Sequence, residues 1–191
     1  RTAQCTGGQG ELPFVVGQGW QARVADLRKD QQFLTLDYSE GRIQPEGFAG
    51  RAVTLSELQM QLLREADQIS SSSGKIKGSL QSLACPNCGS PVPYVFGVAE
   101  HLVCPACRAE VAIAGDTATV LAKHKELTTL KTALQLGDRG NIAGLDYVLI
   151  GIAQMEEVGD ADESSLWTEY LLYSTSAGFL WLVDEGASDW Q

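Results

Sequence analysis

Two closely spaced cysteine pairs, Cys85-Pro-Asn-Cys88 and Cys104-Pro-Ala-Cys107, constrain this chain more than any other feature. A C-x-x-C pair sits on a tight turn with both sulfurs pointing inward. Two such turns at the ends of a hairpin complete a tetrahedral set of four sulfurs, which Zn²⁺ favours. Gly89 follows the first pair, where a knuckle turn commonly needs positive φ. The spacing predicts a zinc ribbon with one ion held by Cys85, Cys88, Cys104 and Cys107, in preference to two disulfides or four inert thiols. Such a set has no open coordination position, so the ion is expected to be structural, not catalytic.

The 191 residues suffice for one large or two small domains plus a metal module. A hydrophobic content of 44% excludes wholesale disorder. The apolar run Tyr147-Val-Leu-Ile-Gly-Ile-Ala153 is far too short to span a bilayer. No basic n-region with an apolar stretch opens the chain, so no secretory signal is read; the first residue is Arg1, not Met, which leaves an upstream segment open. Zinc-type cysteines without a wider disulfide framework point to a reducing compartment, hence the cytoplasm.

The net charge is −10, and its placement says more than its size. Residues 1–79 carry nine Lys/Arg and nine Asp/Glu, and residues 80–136 carry four of each. Residues 137–191 carry one basic residue, Arg139, against eleven acidic ones. That segment is a poor binder of phosphate backbones. It would attract cations, polyamines or a basic protein patch, if it does not serve solubility alone.

The chain reads as mainly β, a β-rich α+β arrangement with short connecting helices. Residues 1–70 form a β-rich leading segment, with strands at Phe14-Val-Val16 and Phe33-Leu-Thr-Leu36 punctuated by glycines at Gly7-Gly8 and Gly17–Gly19. Thr54-Leu-Ser-Glu57 is a capping box, and Leu55, Leu58, Leu62, Ala66 and Ile69 recur at helical steps, predicting a helix over 54–69. Ser70-Ser-Ser-Ser-Gly74 opens a linker over 71–82. The ribbon occupies 83–115, and Val111–Ile113 continues its last strand. A helical connector is expected over 116–133, with Val120, Leu121, His124, Leu127 and Leu130 near one face. Residues 134–191 then read as a small antiparallel meander or barrel. Its turns fall at Gly137-Asp-Arg-Gly140 and Gly144, and its strands at Tyr147–Met155, Leu166–Tyr173 and Phe179–Val183. Leu166–Tyr173 carries large residues on both faces, as a central strand does.

Other candidate chemistry is sparse. His101 lies three residues before Cys104 and reads as an exposed residue or a neighbour of the site, since four thiolates already fill it. His124 reads as surface or boundary packing. There is no nucleophile elbow, no Cys–His constellation, no phosphate-binding loop and no dinucleotide fingerprint. Glu156 and Glu157 open a run of five acids in eight residues, which reads as a solvated hairpin loop or else as a cation or polyamine site. Trp167, Glu169, Tyr170, Trp181 and Trp190 form an aromatic-rich group, either a small-domain core or a platform for a peptide or cation. Cys5 is a free thiol or the remnant of a truncated ribbon.

Cys85-Pro-Asn-Cys-Gly-Ser-Pro-Val is followed by Leu134-x-Leu-Gly-Asp-Arg-Gly, Gly144-x-Asp-Tyr-Val-Leu-Ile-Gly151, Trp167-Thr-Glu-Tyr-Leu-Leu172 and Gly178-Phe-Leu-Trp-Leu-Val183. This series resembles the bacterial family called domain of unknown function 4178, over residues 80–190. Residues 1–70, including Asp37-Tyr-Ser39, resemble the leading portion of such proteins, although Cys5-Thr-Gly-Gly8 departs from their first ribbon. The resemblance brings no established enzymatic activity. It implies gene company with polyamine-synthesis and membrane-stress proteins, and so an accessory or adaptor role.

The expectation is therefore a non-enzymatic zinc-binding accessory protein that binds another protein, without membrane insertion. A nucleic-acid-binding ribbon is the first alternative, although Arg108 is the only Lys or Arg between Cys85 and Glu110. A cation- or polyamine-sensing domain built on the acidic loop and the aromatic group is the second.

Overall fold

The computed structural model describes residues 1–14, 16, 20–41, 43–53, 60–61, 80–95, 101–114, 117–123, 130–159 and 165–186. These residues form β1 (Thr2–Glu11), β2 (Gln21–Lys29), β3 (Gln32–Asp37), β4 (Glu46–Arg51), β5 (Met60–Gln61), β6 (Leu80–Ala84) and β7 (Pro91–Val95). They continue with β8 (His101–Val103), β9 (Ala109–Ala114), β10 (Thr117–Lys123), β11 (Arg139–Ile142), β12 (Leu145–Glu157), β13 (Leu166–Ser174) and β14 (Gly178–Asp184). Every pairing is antiparallel. Twelve strands join one branched, open sheet, and β6 and β7 form a separate two-stranded one. The mainly β expectation holds, and the sheet does not close into a barrel.

The pairing of β1 with β12 is the spine. Along one edge of β12, β11 covers Leu145–Val148 and β1 covers Gly151–Glu157, while β13 takes the other edge. The far edge of β1 carries β2 at Thr2–Gln4 and β8 at Gly10–Glu11. Gly7 and Gly8 therefore lie inside a buried strand and not in a turn, a correction to the sequence reading. Gly10 has φ 72° and pairs with Gly151. A Cβ on Gly151 would sit 1.8 Å from the carbonyl oxygen of Glu11, so here the backbones approach too closely for a side chain.

A bulge between Leu149 and Gly151 resets the alternation of β12. Tyr147 and Leu149 before it, and Ile152 after it, consequently share one core with Tyr170, Leu172 and Leu134. Ala153 and Met155 turn to the other face, where they join Trp167, Ala3, Leu12, Val16 and Val103. The expected central position of Leu166–Tyr173 holds, because β13 lies between β12 and β14. The turn at Gly144 joins β11 to β12 through Ala143 and Gly144, both at positive φ, as a two-residue hairpin of this twist demands.

Two expected helices are corrected where the structure describes them. Met60 and Gln61 pair with Gly140 and Arg139 as an edge strand, and the rest of 54–69 lies outside the described residues. Thr117–Lys123 is strand β10, antiparallel to β9, with Ala118, Val120 and Ala122 half-buried on alternate positions. Residues 124–129, including His124 and Leu127, lie outside the described residues. Of the linker 71–82, residues 71–79 lie outside them and Leu80–Ser82 begin β6. Phe14 and Val16 do not form a strand; the Phe14 ring stacks on Trp20 at 4.1 Å. Among the described residues no helix is long and apolar enough to cross a membrane.

The close approach at Gly151 predicts a steep steric penalty. Gly151→Ala should lower unfolding stability by about 3 kcal/mol, because the obstructing atom is backbone and cannot rotate away. Gly159→Ala, with no heavy atom within 4 Å of its Cβ, should stay within about 0.5 kcal/mol of the parent. Urea titrations of both variants check this, and equal midpoints would refute it.

Candidate metal centre

The first cysteine pair sits on the turn between β6 and β7, and the second on the turn between β8 and β9. Both turns have the same construction. In the first, Gly89 N–H donates to Cys85 O at 2.8 Å and Cys85 N–H to Ser90 O at 2.8 Å. In the second, Arg108 N–H donates to Cys104 O at 2.8 Å and Cys104 N–H to Ala109 O at 2.9 Å. Each needs a residue at positive φ after its second cysteine, and Gly89 at 76° and Arg108 at 59° supply it. The sequence reading found Gly89 but missed Arg108, because a bulky residue in that conformation carries no compositional signal.

The four Sγ atoms lie within 4.8 Å of one another, so Cys85, Cys88, Cys104 and Cys107 could together hold a metal ion. Across the knuckles, Cys85 Sγ is 3.8 Å from Cys107 Sγ, and Cys88 Sγ is 3.8 Å from Cys104 Sγ. Asn87 Nδ2 donates to Cys107 Sγ at 3.2 Å, a contact between knuckles that spacing alone did not reveal. Cys85 and Cys104 are buried among Val92, Leu102, Ala109 and Val111, whereas Cys88 is exposed. Burial pushes the Cys104 thiol up to about 12 and also raises Cys85. Hydrogen bonds from Ser90 bring Cys88 down to about 6. One ready thiolate and buried neighbours that resist ionisation are the state that a bound cation would relieve.

The two hairpins belong to different sheets. β8 joins the main sheet through Gly10–Val103 and Glu11–Leu102, whereas β6 pairs only with β7 among the described residues. The cysteine cluster and its apolar surroundings thus bridge the small sheet and the large one. On the large-sheet side, the fully buried Glu110 of β9 accepts from Val16 N–H at 3.2 Å, tying the β8–β9 hairpin to the segment after β1. His101 lies half-buried on β8, with Nδ1 lacking a hydrogen-bond partner among the described residues, outside the four-thiol group.

The remaining candidate residues do not converge. Glu156 accepts from Gln4 Nε2 at 3.3 Å and Glu157 from Ser165 Oγ at 2.8 Å, so both belong to the end of β12. Residues 160–164 of the acidic run lie outside the described residues. Tyr170 points into the core opposite Trp167, and Trp181 packs with Ile150 and Leu171. Trp190 lies outside the described residues. Trp167 and Glu169 do meet: Trp167 Nε1 donates to Glu169 Oε1 at 2.8 Å. The Arg1 guanidinium stands 4.5 Å above the Trp167 ring and pairs with Asp26 at 2.7 Å. These partners come from β2 and from the residue preceding β1, beyond the reach of local pattern. Cys5 is a free thiol that donates to Gly7 O at 3.2 Å, and burial pushes it up to about 12.

Residues 135–191 match the family model described as Domain of unknown function (DUF4178). The match covers β11 to β14 and none of the four clustered cysteines, a narrower span than the resemblance over 80–190. No curated protein and no solved structure matches the chain.

Burial raises the Glu169 carboxyl above the ordinary carboxylate range, against the lowering effects of the Trp167 N–H and the Arg1 charge. The folded state therefore binds this proton more tightly than the unfolded chain. The contribution of Glu169 to stability is full below the ordinary carboxylate value and is lost as pH rises through the raised one. Glu169→Gln should remove that loss, so its melting temperature should gain on the parent's as pH rises across the window. Parallel melting curves at every pH would contradict this.

Proposed function

We propose that Cys85, Cys88, Cys104 and Cys107 hold one structural zinc ion, and that the protein is a non-enzymatic module that binds another protein. The observation that carries this is the closed donor set on two knuckles of the same construction. Four soft sulfur donors suit zinc and disfavour Mg²⁺ and Ca²⁺. When bound, the ion would supply coordination bonds that clamp the β6–β7 hairpin to the main sheet. Thiols kept ready for a metal fit a reducing compartment, which supports a cytoplasmic location.

The absence of turnover is supported by the residues themselves. Glu156, Glu157 and Glu169 each satisfy a local partner, and the sequence pairs no nucleophile with a base. A role in protein binding is supported by exposed apolar side chains in the acidic part of the chain, with Leu166 and Phe179 both 52% exposed. The ribbon's near lack of basic residues weighs against nucleic acid as the partner.

Elemental analysis should find one zinc per chain, lost in Cys104→Ser. Chelation should raise amide exchange first in Leu80–Val95, which the main sheet does not hold by strand pairing, and then in His101–Ala114. A chain that proves to carry no zinc as purified, and whose melting curve ignores chelator, would defeat the zinc reading.

Capture of the tagged chain from native lysate, with and without nuclease, tests the second half. A stoichiometric protein that survives nuclease is expected. Loss of every partner with nuclease would replace this reading with nucleic-acid binding.

A further inference from the structure

Strands β2, β3 and β4 form a three-stranded arm that leaves the main sheet at β1. Its register sets Leu27 opposite Leu34 and Leu34 opposite Ala49, and in the next row Ala25 opposite Leu36 and Leu36 opposite Gly47. Since side chains alternate along a strand, these two rows lie on one face. Leu27 is 53% exposed and Leu34 37% exposed. Gly47 adds no side chain beside them, and a Cβ there would stand 3.8 Å from Leu34 and 3.9 Å from Leu36.

The charges on the arm are sorted between its faces. Beyond the Leu27 row the same face carries Lys29, Gln32 and Arg51. Beyond the Ala25 row it carries Arg23. No acid of these three strands lies on this face. Asp26, Asp37 and Glu46 all fall on the opposite one, with Val24, Arg28, Phe33, Thr35 and Phe48. The charges of that face are engaged within the chain, although Phe48 on it is 39% exposed: Asp26 holds Arg1 and the Thr35 hydroxyl, Asp37 accepts from Ser39 N–H, and Arg28 pairs with Glu185. An apolar band between basic rows, on a chain of net charge −10, is complementary to an acidic apolar partner and not to the chain at large.

We propose that this outer face of β2–β4 docks an amphipathic helix of a partner protein, one whose apolar stripe is flanked by Asp and Glu. It rests on the protein-binding role proposed above and names the partner's chemistry. The three strands span about 10 Å across, enough to seat about two turns of a crossing helix. The helix's apolar stripe covers Leu27, Leu34, Ala25 and Leu36. Its flanking carboxylates meet Lys29 along one side and Arg23 along the other. A second copy of this chain suits the face less well, because two such faces would bring Arg23 and Lys29 against their own kind.

The test uses the full, zinc-loaded chain and a labelled synthetic peptide of about 18 residues, long enough to form a helix. The peptide carries Leu at helical spacing with flanking Glu, and its control carries Lys in place of Glu. The Glu peptide should bind, gain helicity and weaken with added salt, whereas the Lys peptide should not bind. Leu27→Ser should cost at least about tenfold in affinity, and Arg23→Glu with Lys29→Glu likewise, with unchanged circular dichroism and zinc content. Equal binding of both peptides, or full affinity in the charge-reversed variant, would overturn the proposal. No binding by a chain that still holds its zinc would sink this surface and leave the metal reading standing. Self-association that Leu27→Ser abolishes would assign the face to a second copy instead.

Discussion

Where β1 runs beside β12, at Gly10 and Gly151, two backbones pass with no room for a Cβ, and the rest of the sheet grows outward from that seam. β1 carries on its far edge both the β2–β4 arm and the β8–β10 hairpins, and β12 carries on its far edge the β13–β14 hairpin. The bulge at Leu149–Gly151 then decides which residues of β12 face which core. Remove the seam and the arm, the knuckle hairpin and the C-terminal hairpin lose their common frame. The four thiols form a second and more local feature, gathered where the separate β6–β7 hairpin meets strands that the seam has already placed, and they could hold a metal ion there.

This arrangement bears on the segment that matches the family model. Residues 135–191 contain β11 to β14, yet one edge of β12 is closed by β1, from far outside that span. Trp167 of β13 likewise packs with Ala3, Leu12 and Val16. The matched segment therefore supplies most of one core, which Leu134 and Leu130 complete from just outside the span, and shares the other core with residues from the beginning of the chain.

Legibility in the sequence followed the range of the interaction. The cysteine spacing was readable because each knuckle is a local turn, and Leu166–Tyr173 and Phe179–Val183 were readable because alternation is local too. Gly7-Gly8 misled because glycine usually marks turns, whereas here both lie within a paired strand, and a Cβ on Gly8 would crowd the Leu12 side chain at 3.1 Å. Thr117–Lys123 misled in another way. Apolar residues summed over 116–133 suggested a helix, but the β-branched Thr117, Thr119 and Val120 with alternating burial are strand chemistry. Met60 falls inside the helix expected over 54–69, and its pairing with Gly140 is long-range. No local pattern could join Arg1 and Asp26 to Trp167, or Asn87 to Cys107, since each pair meets only in the folded chain.

The seam also sets the order of events during synthesis. β1 leaves the ribosome well before its partner β12, which is not complete until Glu157. At ordinary elongation rates that interval is on the order of ten seconds. Throughout it, the edge of β1 that β12 will take stays open, even once β2 is available to the other edge, and an open edge invites wrong pairing. Its sequence, Thr2-Ala-Gln-Cys-Thr-Gly-Gly-Gln-Gly-Glu11, is poor in the branched and aromatic residues that nucleate strands. The glycines that fit the finished seam thus also keep the nascent segment a weak strand former until the one surface shaped for it has been made.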